Sequence, residues 1–361
     1  MKTTHKIYFE DSKNMRVIPS SSVHLVVTSP PYPMIEMWDD MFVSHNTNIL
    51  KALKNRDGHR AFELMHRQLD PVWQELYRIL IPGGFACINI GDAVRTVGKD
   101  FMLYSNHSRI LGALIENGFS ILPSILWHKP TNAPTKFMGS GTLPAGAYVT
   151  LEHEYILIVR KGPKRNFASS REKQIRRESA IFMEERDKWF SDVWLKLNGT
   201  PQKIKKDAAR LRSGAFPSEL AYRLVNMYSA KDDTVVDPFL GTGTTMWSAM
   251  TSGRNCVGFE IDTTFQKVIF KKQNTVIETS NDRIQQRIQS HLDYIETRTD
   301  TKVKFKYLNK HYNFPVKSRQ EIELFFNPLE SIKQLNGNAM EVQYADAPEL
   351  YLTAQSNRID N

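Results

Sequence analysis

The chain has 361 residues, of which 41% are hydrophobic and 11% aromatic, and 48 Lys and Arg against 39 Asp and Glu leave a net charge of +9. That apolar content excludes a mainly disordered chain, and the length suits one large or two ordinary domains. The longest apolar stretch, Phe119 to Trp127, is too short and interrupted to cross a bilayer, and Met1 to Asp11 lacks the apolar centre of a signal peptide. Two cysteines, Cys87 and Cys256, make neither a disulfide framework nor a cysteine zinc site. A reduced, cytoplasmic protein of enzyme size is expected, with no membrane partner and no metal.

Periodicity places the elements in chain order. Val23 to Thr28 is a nearly continuous apolar run, as in a buried parallel strand, and it ends where Pro30 and Pro31 remove ladder donors. Phe62, Met65, Leu69, Trp73, Leu76 and Leu80 recur at helical spacing, with a kink or fresh start expected at Pro71 and a stop at Pro82-Gly83-Gly84. Phe85 to Gly91 reads as a strand and Ser108 to Asn117 as a helix closed by Gly118. Strands follow near Ser120 to Trp127 and Glu154 to Arg160. A helix over Pro217 to Tyr228, a strand over Thr234 to Asp237, a helix over Thr244 to Thr251 and a strand over Asn255 to Glu260 make a second unit. Strands alternating with helices imply a mostly parallel sheet covered on both faces, an α/β fold. From Asp262 to about Arg298 the chain is polar and helical, and Thr301 to Asn361 carries no readable motif.

Charge is concentrated in one segment. Arg160 to Arg212 holds 16 Lys and Arg against 7 Asp and Glu, so it carries the whole excess. Composition alone fits both a solvated basic surface and a face for a polyanion.

Two motifs carry chemistry. Asp237-Pro238-Phe239-Leu240-Gly241-Thr242-Gly243-Thr244-Thr245 joins a strand to a helix, and its glycines let backbone approach a ligand closely. Glu260 ends the next strand, nineteen residues beyond Gly241, where a carboxylate can accept from both hydroxyls of a ribose. No Gly-Lys-Ser/Thr follows, so a nucleoside without a bound phosphate fits best. The second motif, Thr28-Ser29-Pro30-Pro31-Tyr32, puts a hydroxyl, a stiffened backbone and an aromatic face at a strand exit. Such a corner suits a planar base bearing an amino group.

Together these motifs resemble the S-adenosylmethionine-dependent DNA amino-methyltransferases in their beta-type, circularly permuted arrangement. The T-S-P-P-Y element comes first, and the D-P-F-x-G-T-G-T-T element follows about 210 residues later. Matches at Pro82-Gly83-Gly84, Asn89-Ile90-Gly91-Asp92, Trp127-His128-Lys129-Pro130, Glu152 to Leu157 and Phe216 to Leu220 extend the resemblance over residues 5 to 265, outside the basic segment. It implies a Rossmann-like methyltransferase fold, catalytic halves at 1–160 and 213–275 and a basic target-recognition insert at 161–212; the tail is unmatched, and 276–361 is expected as a helical C-terminal extension of unknown role.

The resemblance also assigns residues. Ser29, Pro30, Pro31 and Tyr32 would form the target-base pocket. Asp237, Pro238, Phe239, Gly241, Gly243 and Thr244 would line the cofactor, S-adenosyl-L-methionine. Glu260 would hold its ribose, Phe216, Pro217 and Ser218 its methionine end, and Asp11 and Ser12 its adenine; Asp92 is a weaker candidate. Thr28 in place of Asp implies the cytosine-N4 subgroup, with adenine-N6 as the alternative. The implied substrate is a cytosine flipped from double-stranded DNA in a bacterial or archaeal restriction-modification setting, beside a separately acting restriction endonuclease. Within the insert, Asn166, Gln174 and Asn198 could read base edges, while Trp189 and Trp194 read as a small core. His128, Lys129, His153 and Glu154 fit both an approach to the flipped base and a plain strand edge. Cys87 reads as core, which disfavours ring-carbon methylation through a thiolate. A noncatalytic DNA-binding scaffold and a nicotinamide-dependent oxidoreductase are the readings from other classes.

Overall fold

The computed structural model describes residues 1–129, 139–195, 197, 216–299 and 305–346. The chain opens with β1 (Lys2–Tyr8) and β2 (Val23–Thr28), then α1 (Asp39–His45), α2 (Asn48–Lys54) and α3 (Gly58–Ile79). Next come β3 (Leu80–Ile90), the hairpin of β4 (Ala93–Val97) and β5 (Asp100–Tyr104), and α4 (Asn106–Glu116). They are followed by β6 (Phe119–Ile121), β7 (Ile125–His128), β8 (His153–Lys161), α5 (Ser170–Glu178), α6 (Met183–Trp189) and β9 (Val193–Trp194). The second unit is α7 (Ser218–Tyr228), β10 (Thr234–Asp237), α8 (Thr244–Thr251), β11 (Asn255–Phe259) and the long α9 (Phe265–Thr299). Four strands close the chain: β12 (Tyr307–Leu308), β13 (Pro315–Val316), β14 (Leu329–Leu335) and β15 (Ala339–Tyr344).

Eleven of the described strands form one sheet in the order β14-β15-β1-β11-β10-β2-β3-β8-β7-β9, with β6 also on β8. Its centre, β1-β11-β10-β2-β3, is parallel. β2 explains why: Leu25 and Val27 pack into the cluster holding Leu220, Leu224, Met246 and Met250, while Val26 packs with Trp73, Leu76 and Ile110. A strand buried on both faces needs the unbroken apolar run that the sequence shows.

The expected elements are met with three differences. α3 runs through Pro71 as one helix and begins earlier, where Asp57 caps Arg60 N–H at 3.0 Å. Pro82-Gly83-Gly84 lies inside β3 at a register break, where Val23 pairs with Leu80 but Leu25 with Phe85; Gly83 has φ +85° and its backbone abuts Arg165. The extension expected to be helical over 276–361 is, among the described residues, α-helical only to Thr299, with one 3-10 turn at Arg319–Glu321. Beyond it the chain returns to the main sheet, where β15 pairs antiparallel with β1 and β14 forms the edge.

Candidate functional site

The parallel strands all end on one side of the sheet, and their exits form one cavity of about 940 Å³. Ser29, Pro30, Pro31 and Tyr32 from the β2 exit line it, and so do Asp237, Pro238, Phe239, Gly241 and Thr244 from the β10 exit. Glu260 after β11, Asp11 and Ser12 after β1, Asp92 after β3, and Phe216 complete the sequence-derived set. Pro217, Ser218 and Gly243 do not line it. Pro217 caps α7 and Ser218 opens it, while Gly243, at φ +80°, makes the left-handed turn into α8 beneath the ligand loop.

The two motifs touch directly. Thr28 Oγ1 donates to Asp237 Oδ1 at 2.6 Å, Thr245 Oγ1 donates to Asp237 Oδ2 at 2.7 Å, and Phe239 N–H donates to Oδ1 at 3.0 Å. Asp237 is 1% exposed, and burial pushes its carboxyl up to about 6. Three protein donors from both loops hold its oxygens, so Asp237 braces the two loops together.

The glycine turn is held in the same manner. Leu240 N–H donates to Phe259 O at 2.8 Å, and Gly241 N–H donates to Glu260 Oε2 at 2.8 Å. Glu260 Oε1 accepts Asp262 N–H at 2.8 Å, so each carboxylate oxygen keeps a lone pair for a ligand hydroxyl. Burial raises this carboxyl above its usual range. Apolar walls from Phe216, Phe239 and Phe265, with the carboxylates of Asp11 and Glu260 also in the lining, fit an adenosine bearing a charged amino-acid tail.

The proline-rich corner is fixed from three sides. Ile35 N–H closes a turn on Tyr32 O at 3.2 Å, and Met34, buried at φ +66°, turns the chain under α3. Asn106 Nδ2 donates to Pro33 O at 3.1 Å and to Gly91 O at 3.0 Å, while its Oδ1 accepts from His66 Nε2 at 2.9 Å. Burial holds His66 near 3, so it is the neutral donor. Tyr32 places its ring on Gly91, where even a Cβ would lie 3.0 Å from Cε2. Its hydroxyl is bound to Glu154 at 2.8 Å and to Asn89 at 2.8 Å.

Sequence reasoning missed Trp38, Met41 and Thr242 in the lining, and it missed Asn89 and Asn106 as braces. It left Glu154 undecided; the structure buries it at 7% exposure, which an acidic residue leading an apolar strand could have signalled. Trp189 and Trp194 are buried, and Trp194 Nε1 donates to Trp189 O at 3.0 Å. Cys87 is buried, its thiol pushed up by desolvation, as a core residue should be. Among the described residues no cluster of His, Cys, Asp and Glu could hold a metal, and no helix is long and apolar enough to cross a membrane.

Residues 160–195, the described part of the basic segment apart from Leu197, run mostly toward the end of the sheet opposite the cavity. β8 leads away from it, and Lys161 Nζ donates to Leu80 O at 2.7 Å, where the parallel strands begin. There Arg165 pairs with Asp233 at 2.6 Å, and Gln174 of α5 donates to Glu323 at 3.3 Å. From α6, Glu184 pairs with His291 at 2.7 Å and Glu185 with Arg287 at 2.6 Å, both partners on α9. Gln174 is thereby engaged, Asn166 is exposed at this far end, and Asn198 lies outside the described residues. Within the described part, β9 runs parallel to β7 and leads back toward the cavity.

Residues 23–272 match the family described as DNA methylase, covering both N6 and N4 enzymes. The chain is 47% identical over 347 residues to Type II methyltransferase M.MthZI of Methanothermobacter thermautotrophicus, covering 96% of each. It is 48% identical over 281 residues to Type II methyltransferase M.MjaI of Methanocaldococcus jannaschii, covering 75% of this chain and 91% of that one. Among solved structures it is similar to TTHA0409 of Thermus thermophilus complexed with S-adenosyl-L-methionine, with TM-score 0.58 and 28% identity over 76% of this chain and 93% of that one. PvuII DNA methyltransferase, described as cytosine-N4-specific, shares the fold with TM-score 0.50 and 16% identity over 77% of this chain and 92% of that one.

Proposed function

The chain belongs to the N6/N4 DNA methylase family, whose methyl donor is S-adenosylmethionine, and on that premise we propose that its target is the N4 amine of a cytosine turned out of double-stranded DNA. The observation that carries this reading is the shared cavity, which puts the Ser29–Tyr32 corner and the Gly241–Glu260 turn around one space. A beta-type, permuted motif order fits the same chain path, with the base corner on β2 and the cofactor turn on β10. Type II relatives in two archaea support a restriction-modification setting with a separately acting endonuclease.

When bound, the cofactor supplies a methyl group on a positively charged sulfur. Glu260 would hold its ribose through the free lone pairs of both carboxylate oxygens. Phe216 and Phe239 would wall the chain of the methionine, and Asp11 and Ser12 would border the adenine. On the DNA side, an exocyclic amine is a poor nucleophile because its lone pair is delocalised into the ring. Ser29 Oγ and the Pro30 carbonyl would accept its two N–H groups and favour a tetrahedral nitrogen, aligned for in-line attack. The Tyr32 ring would replace the stacking lost when the base leaves the duplex. Thr28 is committed to Asp237, so the residue associated with the cytosine subgroup shapes the site through that brace and not by touching the base.

Ser29→Ala tests the assignment. Its single-turnover rate is expected to fall on the order of 100-fold with cofactor affinity unchanged, since the interaction with the reacting amine is removed and the cofactor turn is not touched. Transfer at the parent rate would remove Ser29 from the chemistry.

A further inference from the structure

Glu154 has no part in the scheme above, yet it lies at the end of a hydrogen-bonded chain that starts inside the cavity. Ser29 Oγ donates to Tyr32 Oη at 3.1 Å, and Tyr32 Oη donates to Glu154 Oε2 at 2.8 Å. Asn89 Nδ2 donates to Tyr32 Oη at 2.8 Å and to Glu154 Oε2 at 2.7 Å. On the other oxygen, Lys129 Nζ donates to Glu154 Oε1 at 2.5 Å. These partners fix every direction. An amide nitrogen only donates and an ionised carboxylate only accepts, so the Tyr32 proton points to Glu154 and its remaining lone pair takes the Ser29 proton. Ser29 therefore presents lone pairs to the cavity.

We propose that Ser29, Tyr32 and Glu154 form the path by which the target amine loses its proton, with Glu154 as the terminal acceptor and Lys129 holding it in place. The inference rests on the amino-methyl-transfer reading. Methylation replaces one N–H bond by N–C, and the positive charge on the donor sulfur vanishes as its S–C electron pair stays behind. One proton must then leave the nitrogen. It passes to Ser29 Oγ as the Ser29 proton moves to Tyr32 Oη and the Tyr32 proton moves to Glu154 Oε2. Both hydroxyls end as they began, Glu154 ends protonated, and no further reactant is needed. Glu154 then releases the proton to solvent once the product base has left, beside Lys129, whose side chain is half-exposed.

The surroundings suit this role. Glu154 is 7% exposed and Asn89 1%, so the chain of bonds is shielded where it matters. Burial first, and the Glu154 charge second, push the Tyr32 phenol well above its usual value, so Tyr32 relays a proton without becoming a phenolate. The titratable groups around Glu154 are Lys129 beyond β7, Tyr32 beyond β2, and His153 and Tyr155 on its own strand. Against Tyr155 stacks His107, which pairs with Asp92 at 2.8 Å. Glu154 acts through Tyr32 and is a positioning residue in the sense that it never meets the base.

The test uses the full chain, unmethylated bacterial genomic DNA and S-adenosylmethionine labelled in the methyl group. Glu154→Gln, Glu154→Asp and Tyr32→Phe are compared with the parent in single turnover and in the steady state. Glu154→Gln and Tyr32→Phe are expected to slow transfer by about 100-fold, with KM for DNA and cofactor nearly unchanged. Glu154→Asp, which keeps a carboxylate, recovers part of the rate that Glu154→Gln loses. Tyr32→Phe keeps the ring on Gly91, so it reads the relay even where a Glu154 variant folds poorly. Parent-like rates, a rise in KM alone, or a Glu154→Asp no faster than Glu154→Gln would overturn the path. Label on adenine would overturn the cytosine assignment while the relay is still read from the variants, and a parent that labels no DNA would overturn both.

Discussion

Asp237 shows how a residue's role can differ from its motif position. The sequence placed it with the cofactor loop, and it does line the cavity, but both oxygens bind Thr28, Thr245 and the Phe239 amide. Its carboxyl is raised from 3.8 to about 6 because it is buried. A raised folded pKa contributes stability that is whole below about 3.8 and lost as pH rises through about 6. Keeping this carboxylate ionised in the folded protein therefore costs about 3 kcal/mol at neutral pH. Asp237→Asn keeps an acceptor for two of the donors and never ionises. Its urea-unfolding free energy relative to the parent is therefore expected to improve by up to about 3 kcal/mol from acid to neutral pH. A difference that stays flat with pH would contradict the ionisation cost. At this scale the residues that sit in the loops themselves were legible, because hydroxyl, proline, glycine and carboxylate chemistry can be read in a row. Lys129 and Glu154 could be read only as far as a choice between base approach and strand edge, and Asn89 was not read as a brace, because pairing among β3, β7 and β8 brings them together from distant positions.

Among the elements, those punctuated by glycine or proline were the easiest to place. β10 and α8 have the bounds the sequence suggested, since Pro238, Gly241 and Gly243 leave no other place to stop and start. The β11 strand is tied to that loop by a close approach: a Cβ on Gly258 would lie 2.5 Å from Leu240 Cδ2, and Leu240 is 3% exposed. Gly258→Ala should therefore cost about 1–3 kcal/mol in denaturant and weaken cofactor binding, because Leu240 sits in the turn that Glu260 holds. Unchanged affinity and stability would mean the loop yields freely. α3 was harder to read, because Pro71 marks a break in most helices but here is carried inside one packed on Trp73 and Leu76. β14 and β15 show no clear period because β14 is mostly exposed and mixes Lys, Gln and Glu with its apolar residues. Asn336-Gly337 between them, with Gly337 at φ +72°, is the hairpin signal that would have found them.

For the whole molecule, the sheet gives the chain two functional ends. The cavity opens where the parallel strands finish, and the basic α5 region packs where they begin. Net charge was readable from the sequence, but its location was not, because segment order does not say to which end of a sheet a loop returns. Neutralising Arg171, Lys173 and Arg176 together is expected to leave DNA affinity and its salt dependence unchanged, as measured by binding titrations over a range of salt. Each true phosphate contact removed would instead lower the salt slope by about 0.9, so a fall approaching three such steps would bring this face back to the DNA.

The end bearing the cavity is the one where the chemistry is claimed, and the base it modifies is the point on which the account turns. DNA incubated with the enzyme and labelled S-adenosylmethionine can be digested to nucleosides and the labelled species identified. The account predicts label in N4-methylcytosine alone, and label in N6-methyladenine or in ring-methylated cytosine would contradict it.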